Sequence, residues 1–308
     1  MFAALTIGSA GAALATPKRV RYRERSRPDM SSGEESETVD DAPLKVVSIM
    51  NYPRELRFLR MCYLFLDSVI AHGAKSITLL YEENRPLVAP EHRRAADIEV
   101  VQGRSHDVGH PHFNLRFKLP NLAALDFPFL FLDADMVVLS DLNYLWRRRS
   151  AKPWIGIDHQ YIPWFPRTHR PPFLNSGLQL VSDPAFYDLR AILAAQNAVM
   201  PLSRHAEVPK ADLLACPGQD QAVLFRYFRT IGYDYTHSEI GPEWNSCAGV
   251  TQVQGATGAW TARTTGLAHD HPVHIIHYWE RFKPWAIRCP IFESYARVDE
   301  ALRLCPSV

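Results

Sequence analysis

The chain has almost no excess charge of either sign. Among 308 residues, 34 basic side chains face 33 acidic ones, for a formal net charge of +1. Overall electrostatics therefore give no reason to expect a nucleic-acid partner. Cysteine is sparse: Cys62, Cys216, Cys247, Cys289 and Cys305 are scattered, and no CxxC pair exists. That removes zinc knuckles and thioredoxin-type sites, and buried or free thiols are the simplest reading. No internal repeat of roughly 20–50 residues recurs, which excludes solenoids and propellers. What is present is ordinary: 47% hydrophobic and 22% charged residues. Collagen-like, wholly disordered and multi-span membrane classes are excluded, and the length buries a full core.

The N-terminal segment differs in kind. Met1–Ala15 carries no charge, is diluted by Gly and Ser, and falls short of the ~20 residues of a spanning helix. It lacks the positive leading region of a secretory signal. Lys18, Arg19, Arg21, Arg23, Arg25 and Arg27 follow, then Glu34, Glu35, Glu37, Asp40 and Asp41. Blocks of like charge without apolar residues do not offset their ordering entropy, so 1–43 is expected to be a disordered extension. A degenerate membrane anchor or a cleaved targeting peptide is the competing reading. The compartment is thus left between cytoplasm and the Golgi or secretory pathway, with membrane association open.

From residue 44 onward strand and helix patterns alternate. Leu44–Met50 and Ser76–Tyr81 are short apolar, β-branched runs that predict strands, and Ile98–Val101 predicts a third. Residues 54–72 place Leu56, Leu59, Cys62, Tyr63 and Leu66 on one helical face, with Gly73 at the stop. Phe113–Leu125 predicts a helix interrupted by Pro120, and Phe127–Leu139 the most apolar strand. Helices at 184–196 and 219–231 then alternate with strands at 173–181 and 273–279. The stretch 161–173 reads as a surface loop. The order predicts an α/β domain over 44–308 with a mostly parallel sheet.

Four segments carry chemistry. Asp133 and Asp135 interrupt an apolar strand, where acids are costly unless neutralised. Positions i and i+2 share one side of an extended strand. The pair therefore offers two carboxylates to a hard cation such as Mg²⁺ or Mn²⁺, at the strand end where open α/β sheets bind ligands. Solvated turn acids are the plain alternative. In Phe173–Val181, Asn175 and Ser176 offer hydrogen bonds and Gly177 permits close backbone approach, or else marks a bulge. Asp220 and Gln221 open a helix, where a carboxylate is favoured or simply caps. His277 ends the run His274–His277, and Lys283 precedes Pro284 and Trp285. These supply a nitrogen ligand and a compact positive charge for phosphate, or else packed residues.

In this order the segments VVSIMNY, FLDADMVV, FLNSGLQLV, GQDQAVL, PEWN and HIIHYWERFKPW resemble the glycogenin-like glycosyltransferases of family 8, over roughly residues 44–290. The resemblance implies a GT-A fold, a UDP-sugar donor, Mn²⁺ (or Mg²⁺), retention of anomeric configuration, and an acceptor that is a glycan, protein, lipid or polyol. It implies that Asp133, Ala134 and Asp135 form the metal-binding motif, with His277 the third protein ligand and Lys283 on the diphosphate. It places Ser48 and Asn51 on uracil and ribose, and Lys118 on sugar or phosphate. It further places Asn175, Ser176 and Gly177 along the sugar pocket, Asp220 and Gln221 beside the anomeric carbon, and Asn245 on the acceptor side. Where the family has Gly three residues after the metal histidine, this chain has Glu280, which favours a second reading, an inactive UDP-sugar-binding homologue. A third is a haloacid-dehalogenase-like phosphatase with Asp133 as nucleophile and Asp135 as acid/base. That family sets its motif on the first strand, whereas about 90 residues precede it here. Zinc hydrolysis by His269, His271, His274 and His277 lacks a ligand spacing that would support it.

Overall fold

The computed structural model describes residues 42–51, 55–107, 113–149, 154–158, 173–182, 188–192, 194, 219–232, 242–246, 250–264, 272–278, 283–287 and 289–294. Residues 1–41 of the predicted 1–43 extension, residues 161–172 of the predicted 161–173 loop, Glu280, His269 and His271 lie outside the described residues, as does most of the predicted 184–196 helix.

A six-stranded sheet organises the chain. Strand β1 (Lys45–Ile49) leads into helix α1 (Leu56–Ala71), then β2 (Ser76–Tyr81), α2 (Pro90–Ala95) and β3 (Asp97–Gln102). A π-helical turn at Asn114–Lys118 runs into α3 (Leu119–Ala123), and β4 (Phe129–Leu132) follows. β1 pairs in parallel with both β2 and β4, and β2 with β3. Two antiparallel strands complete the sheet: β7 (Phe173–Val181) against β4, and β6 (Trp154–Asp158) against β7. The spatial order is β3-β2-β1-β4-β7-β6. The chain winds outward from β1 through β2 and β3, then crosses back to the other side of β1 as β4. The crevice beyond the carboxyl ends of β1 and β4 is therefore a topological switch point, where such sheets bind ligands.

Period-2 alternation builds the layers. Val46, Leu130, Leu132, Leu178 and Leu180 pack on Cys62, Phe65, Leu66 and Val69 of α1. Val47, Phe129, Phe131 and Val181 point the other way, onto Phe117, Leu119 and Leu122 and onto Val223, Leu224, Tyr227 and Phe228 of α5 (Gln219–Thr230). The sheet is thus covered on both faces. Gly73 ends α1 with φ +108°, and a Cβ there would lie 2.5 Å from the side-chain nitrogen of Asn143. Pro120 does not break its helix, because it occupies the first turn of α3, where no N–H is needed. Cys62 and Cys289 are buried free thiols, and burial pushes the Cys62 thiol up to about 12.

A smaller layer is attached to α1. β5 (Met136–Val138) pairs antiparallel with β10 (Ile275–His277). The hairpin β8–β9 (Val250–Gln254 and Trp260–Thr264) and helix α6 (Pro290–Ser294) pack with them. Met61 and Leu64 of α1, Val137, Ile276, Tyr278, Ile291 and Phe292 form their shared core. The hairpin, β6, α2, α6 and the single turn α4 (Asn143–Trp146) go beyond the elements the sequence pattern predicts. No helix among the described residues is long and apolar enough to cross a membrane.

The single predicted strand Phe127–Leu139 is two strands. β4 ends at Leu132, a turn closed by Met136 N–H donating to the Asp133 carbonyl (3.1 Å) follows, and β5 starts afresh. The acids therefore converge through a turn and not through extended i, i+2 geometry. Phe65 is fully buried between α1 and the sheet. Phe65→Ala is expected to lower stability by about 3–5 kcal/mol, read as an earlier urea midpoint with an unchanged slope.

Candidate active site

The Asp133–Asp135 turn sits at the switch point, and three non-local segments close on it. β7 runs beside β4, and Asp133 N–H donates to the Gly177 carbonyl (2.8 Å). β10 runs beside β5, with His277 opposite Met136 and Tyr278 N–H donating to the Asp135 carbonyl (2.9 Å). This register delivers the His277 imidazole to the acids: Nε2 lies 3.3 Å from Asp135 Oδ1 and 3.7 Å from Asp133 Oδ2. One ligand atom from each of the three residues falls within 4.8 Å of the others.

Gly177 makes room for that convergence. A methyl at its Cα would overlap His277 Cε1 and lie 2.8 Å from Asp133 Oδ2 and 2.9 Å from Asn175 Oδ1. The glycine thus permits close approach of the histidine and the acid. Asn175 turns its Oδ1 back to accept the Gly177 N–H (2.8 Å). The segment Pro242–Ser246 zips along β10: Glu243 and Ser246 carbonyls accept the N–H groups of His274 (2.7 Å) and His277 (2.8 Å). Asn245 is carried with it, fully buried, its Oδ1 2.9 Å from His277 Nδ1.

Two lysines answer the carboxylates. Lys118, buried at the end of the π-helical turn, donates to the Ser176 carbonyl (3.0 Å), Ser176 Oγ (3.4 Å) and Asp133 Oδ1 (3.3 Å). Its Nζ is 3.5 Å from Asp220 Oδ2 and 4.5 Å from the centre of the Phe131 ring. Burial works against its charge, yet Asp133 and Asp220 outweigh burial and raise its pKa. Lys283 forms an ion pair with Asp135. Burial alone would raise the Asp135 carboxyl, but His277 and Lys283 hold it well below the usual carboxylate range. Asp133 moves the other way: burial, with the charges of Asp135 and Asp220, prevails over Lys118 and His277. One carboxylate is firmly ionised and the other is under electrostatic stress, an arrangement that an additional cation would relieve.

The donor set tests well for such an ion. Two carboxylates and one imidazole nitrogen suit Mn²⁺ or Mg²⁺ better than a soft metal, and Gly177 leaves the cradle free of a side chain. A cleft of about 270 Å³ opens beside them, lined by Ile49, Asn51, Phe113, Asn114, Lys118, Asp133, Ala134 and Asp135.

No family model and no curated protein matches this sequence. Solved structures do match. The apo glycosyltransferase GlyE of Streptococcus pneumoniae TIGR4 superposes at TM-score 0.51 and 15% identity, over 85% of this chain and 62% of that one. An active-site mutant of LgtC superposes at TM-score 0.50 and 14% identity, over 84% of this chain and 96% of that one. The chain therefore spans less than two thirds of GlyE. The fold is GT-A.

Within this GT-A fold the residues predicted from sequence divide into groups. Asp133, Ala134, Asp135, His277, Lys118, Lys283, Ser176 and Gly177 come together. Asp220 joins from α5, its Oδ2 accepting from Ser176 Oγ at 2.5 Å. It is buried, in contact with Lys118 and Ser176, and absent from the cleft lining. Gln221 is half-buried in the same turn. Asn51 lines the cleft, but its Oδ1 accepts the backbone N–H groups of Glu82, Glu83 and Asn84 (3.1, 2.8 and 3.2 Å), so it shapes the loop after β2 as well. Two further predicted residues are fully buried and absent from the cleft lining. Ser48 is fully buried within β1, away from the cleft, and its Oγ has no partner among the described residues. Asn245 exposes no surface to an acceptor. Phe113 and Asn114 line the cleft without having been predicted; their only signal was proximity to Lys118.

Gly177→Ala is expected to leave the fold intact while pushing His277 or Asp133 aside, weakening Mn²⁺ binding about tenfold or more. Titration of free Mn²⁺ by electron paramagnetic resonance checks this, and unchanged affinity would mean the contact is not limiting.

Proposed function

We propose that this chain is a glycosyltransferase that moves a hexosyl or pentosyl group from a UDP-sugar to an acceptor, with retention, using Mn²⁺ or Mg²⁺. Its resemblance to family 8 supplies the donor, the metal and the stereochemistry. The observation that carries the proposal is the meeting of Asp133, Asp135 and His277 at the switch point of a GT-A sheet, beside a cleft. The mutated LgtC position is an active-site residue in that protein, and the matching fold supports reading the same crevice as the site here.

Transfer breaks the bond between the anomeric carbon and a diphosphate oxygen, and the electron pair leaves with the nucleoside diphosphate. A cation held by Asp133, Asp135 and His277 would supply positive charge to that diphosphate, where charge develops. The remaining work belongs to the protein. Lys283, already at the rim of the site against Asp135, is placed to add a second positive charge. Lys118 is spent on three protein oxygens and an adjacent carboxylate, so it stiffens the floor of the site in preference to binding sugar directly. Asn51, Ile49 and Phe113 offer the nucleoside an amide and two apolar walls on the β1 side.

The phosphatase reading is disfavoured by position. Asp133 follows the fourth strand in chain order, and the third ligand-type group beside it is a histidine, not a second acidic pair.

A panel of UDP-sugars with Mn²⁺ is expected to give UDP release for at least one donor, and Asp135→Ala to abolish it. Turnover of p-nitrophenyl phosphate with Mg²⁺, and none of any UDP-sugar, would favour the phosphatase instead. Binding of UDP with Mn²⁺ but no turnover would support the inactive homologue. Lys283→Met is expected to weaken UDP binding in the presence of Mn²⁺ by about tenfold, measured by isothermal titration. An unchanged dissociation constant would remove Lys283 from the diphosphate.

A further inference from the structure

His277 can ligate a cation through Nε2 only if that nitrogen carries a lone pair. In a neutral imidazole this requires the proton to sit on Nδ1. Nδ1 has one described hydrogen-bond partner, Asn245 Oδ1 at 2.9 Å, in a place where both residues are buried. An amide oxygen only accepts, so in this orientation the imidazole donates from Nδ1, and in the neutral ring Nε2 is then the nitrogen with the lone pair, facing Asp133 and Asp135.

The backbone leaves Asn245 little freedom to do otherwise. Ser246 forms a parallel bridge to Ile276, with Ser246 N–H donating to the Ile275 carbonyl (3.0 Å). On the other side, Trp244 is buried against His274, with ring centres 4.5 Å apart, and against Tyr144 at 5.4 Å. Asn245 is pinned between those two anchors. Its Nδ2 meets no partner among the described residues. Among the described residues the contact of this buried amide is therefore through its oxygen.

We infer that Asn245 is a positioning residue: it accepts from His277 Nδ1 and fixes the tautomer and ring orientation in which Nε2 can bind a divalent cation. This inference rests on the metal-dependent reading above and assigns Asn245 a role other than acceptor contact.

The opposite orientation of the amide makes the opposite prediction, so two substitutions separate them. An aspartate at 245 can only accept, whereas leucine of similar size can do neither. With Mn²⁺ alone as probe, counted by electron paramagnetic resonance, Asn245→Asp is expected to bind within about threefold of the unmodified chain or more tightly. Asn245→Leu is expected to bind about 10–100-fold more weakly. Equal losses in both variants would overturn the inference, since packing or a donated hydrogen bond would then be what matters. No loss in Asn245→Leu would overturn it too. Should that variant fail to fold, Asn245→Asp decides alone, because a donor role predicts that it loses binding. If the unmodified chain binds neither Mn²⁺ nor UDP, the metal-dependent reading itself falls and takes this inference with it.

Discussion

Two carboxylates forced together at the end of a buried strand are the constraint that the rest of the structure answers. Asp133 and Asp135 face one point, at the edge of a core in which Phe129 to Leu132 are fully buried. Like charges so placed repel, and each loses hydration. Compensation comes from far along the chain: Lys118 from the π-helical turn, His277 from β10, and Lys283 from beyond it. None of these is a sequence neighbour of the pair. The second sheet, the antiparallel strand β7 and the Pro242–Ser246 segment can all be understood as the scaffolding that brings those answers to the acids. A widened π turn at Lys118 fits the same logic, since such irregularities re-aim a side chain at a site.

The sheet-building half of the fold was legible because its signals are local. Apolar β-branched runs gave β1, β2 and β3, helical spacing gave α1, and Gly73 marked its end. The alternating order of strand and helix gave the mostly parallel sheet. The β8–β9 hairpin was not legible. Its strands VTQVQ and WTART are largely exposed, with few apolar residues to betray a period, and they are held by contacts with α6 and Tyr278. Gln252 illustrates this: it donates to the Tyr278 hydroxyl (2.7 Å) and accepts from Ile291 N–H (3.2 Å). Both partners lie more than 25 residues away, and no local pattern encodes them.

At the site, residue types could be read but not their duties. A DxD after an apolar strand and a histidine closing a short strand are groups that the fold brings within reach of one another. The mode of convergence was misread, because a turn and an extended strand both bring i and i+2 side chains near each other. Alternation along β1 turns Ser48 inward, a fact fixed by register and not by its hydroxyl. Asn245 was assigned to an acceptor through resemblance, while its burial and its contact with His277 depend on a bridge to β10 that only the folded chain displays.

This division has a physical root. Residues that touch a ligand must be polar in unusual places, and polar groups in apolar runs stand out in a sequence. Residues that hold those groups in position are polar too, but their effect depends on direction: which atom of an amide, which nitrogen of a ring, which face of a strand. Lys118 shows how far the two can diverge. As a lysine near a phosphate-binding crevice it invites assignment to the ligand. In the folded chain its ammonium is surrounded by Asp133, Ser176 and Asp220 and lies against Phe131. Removing it would leave two carboxylates short of charge in a buried place, a cost borne by the geometry of the site before any substrate arrives. The electrostatic balance of the crevice is therefore set largely by the protein, and the stressed carboxylate of Asp133, with Asp135 and His277 beside it, is a position suited to one divalent cation.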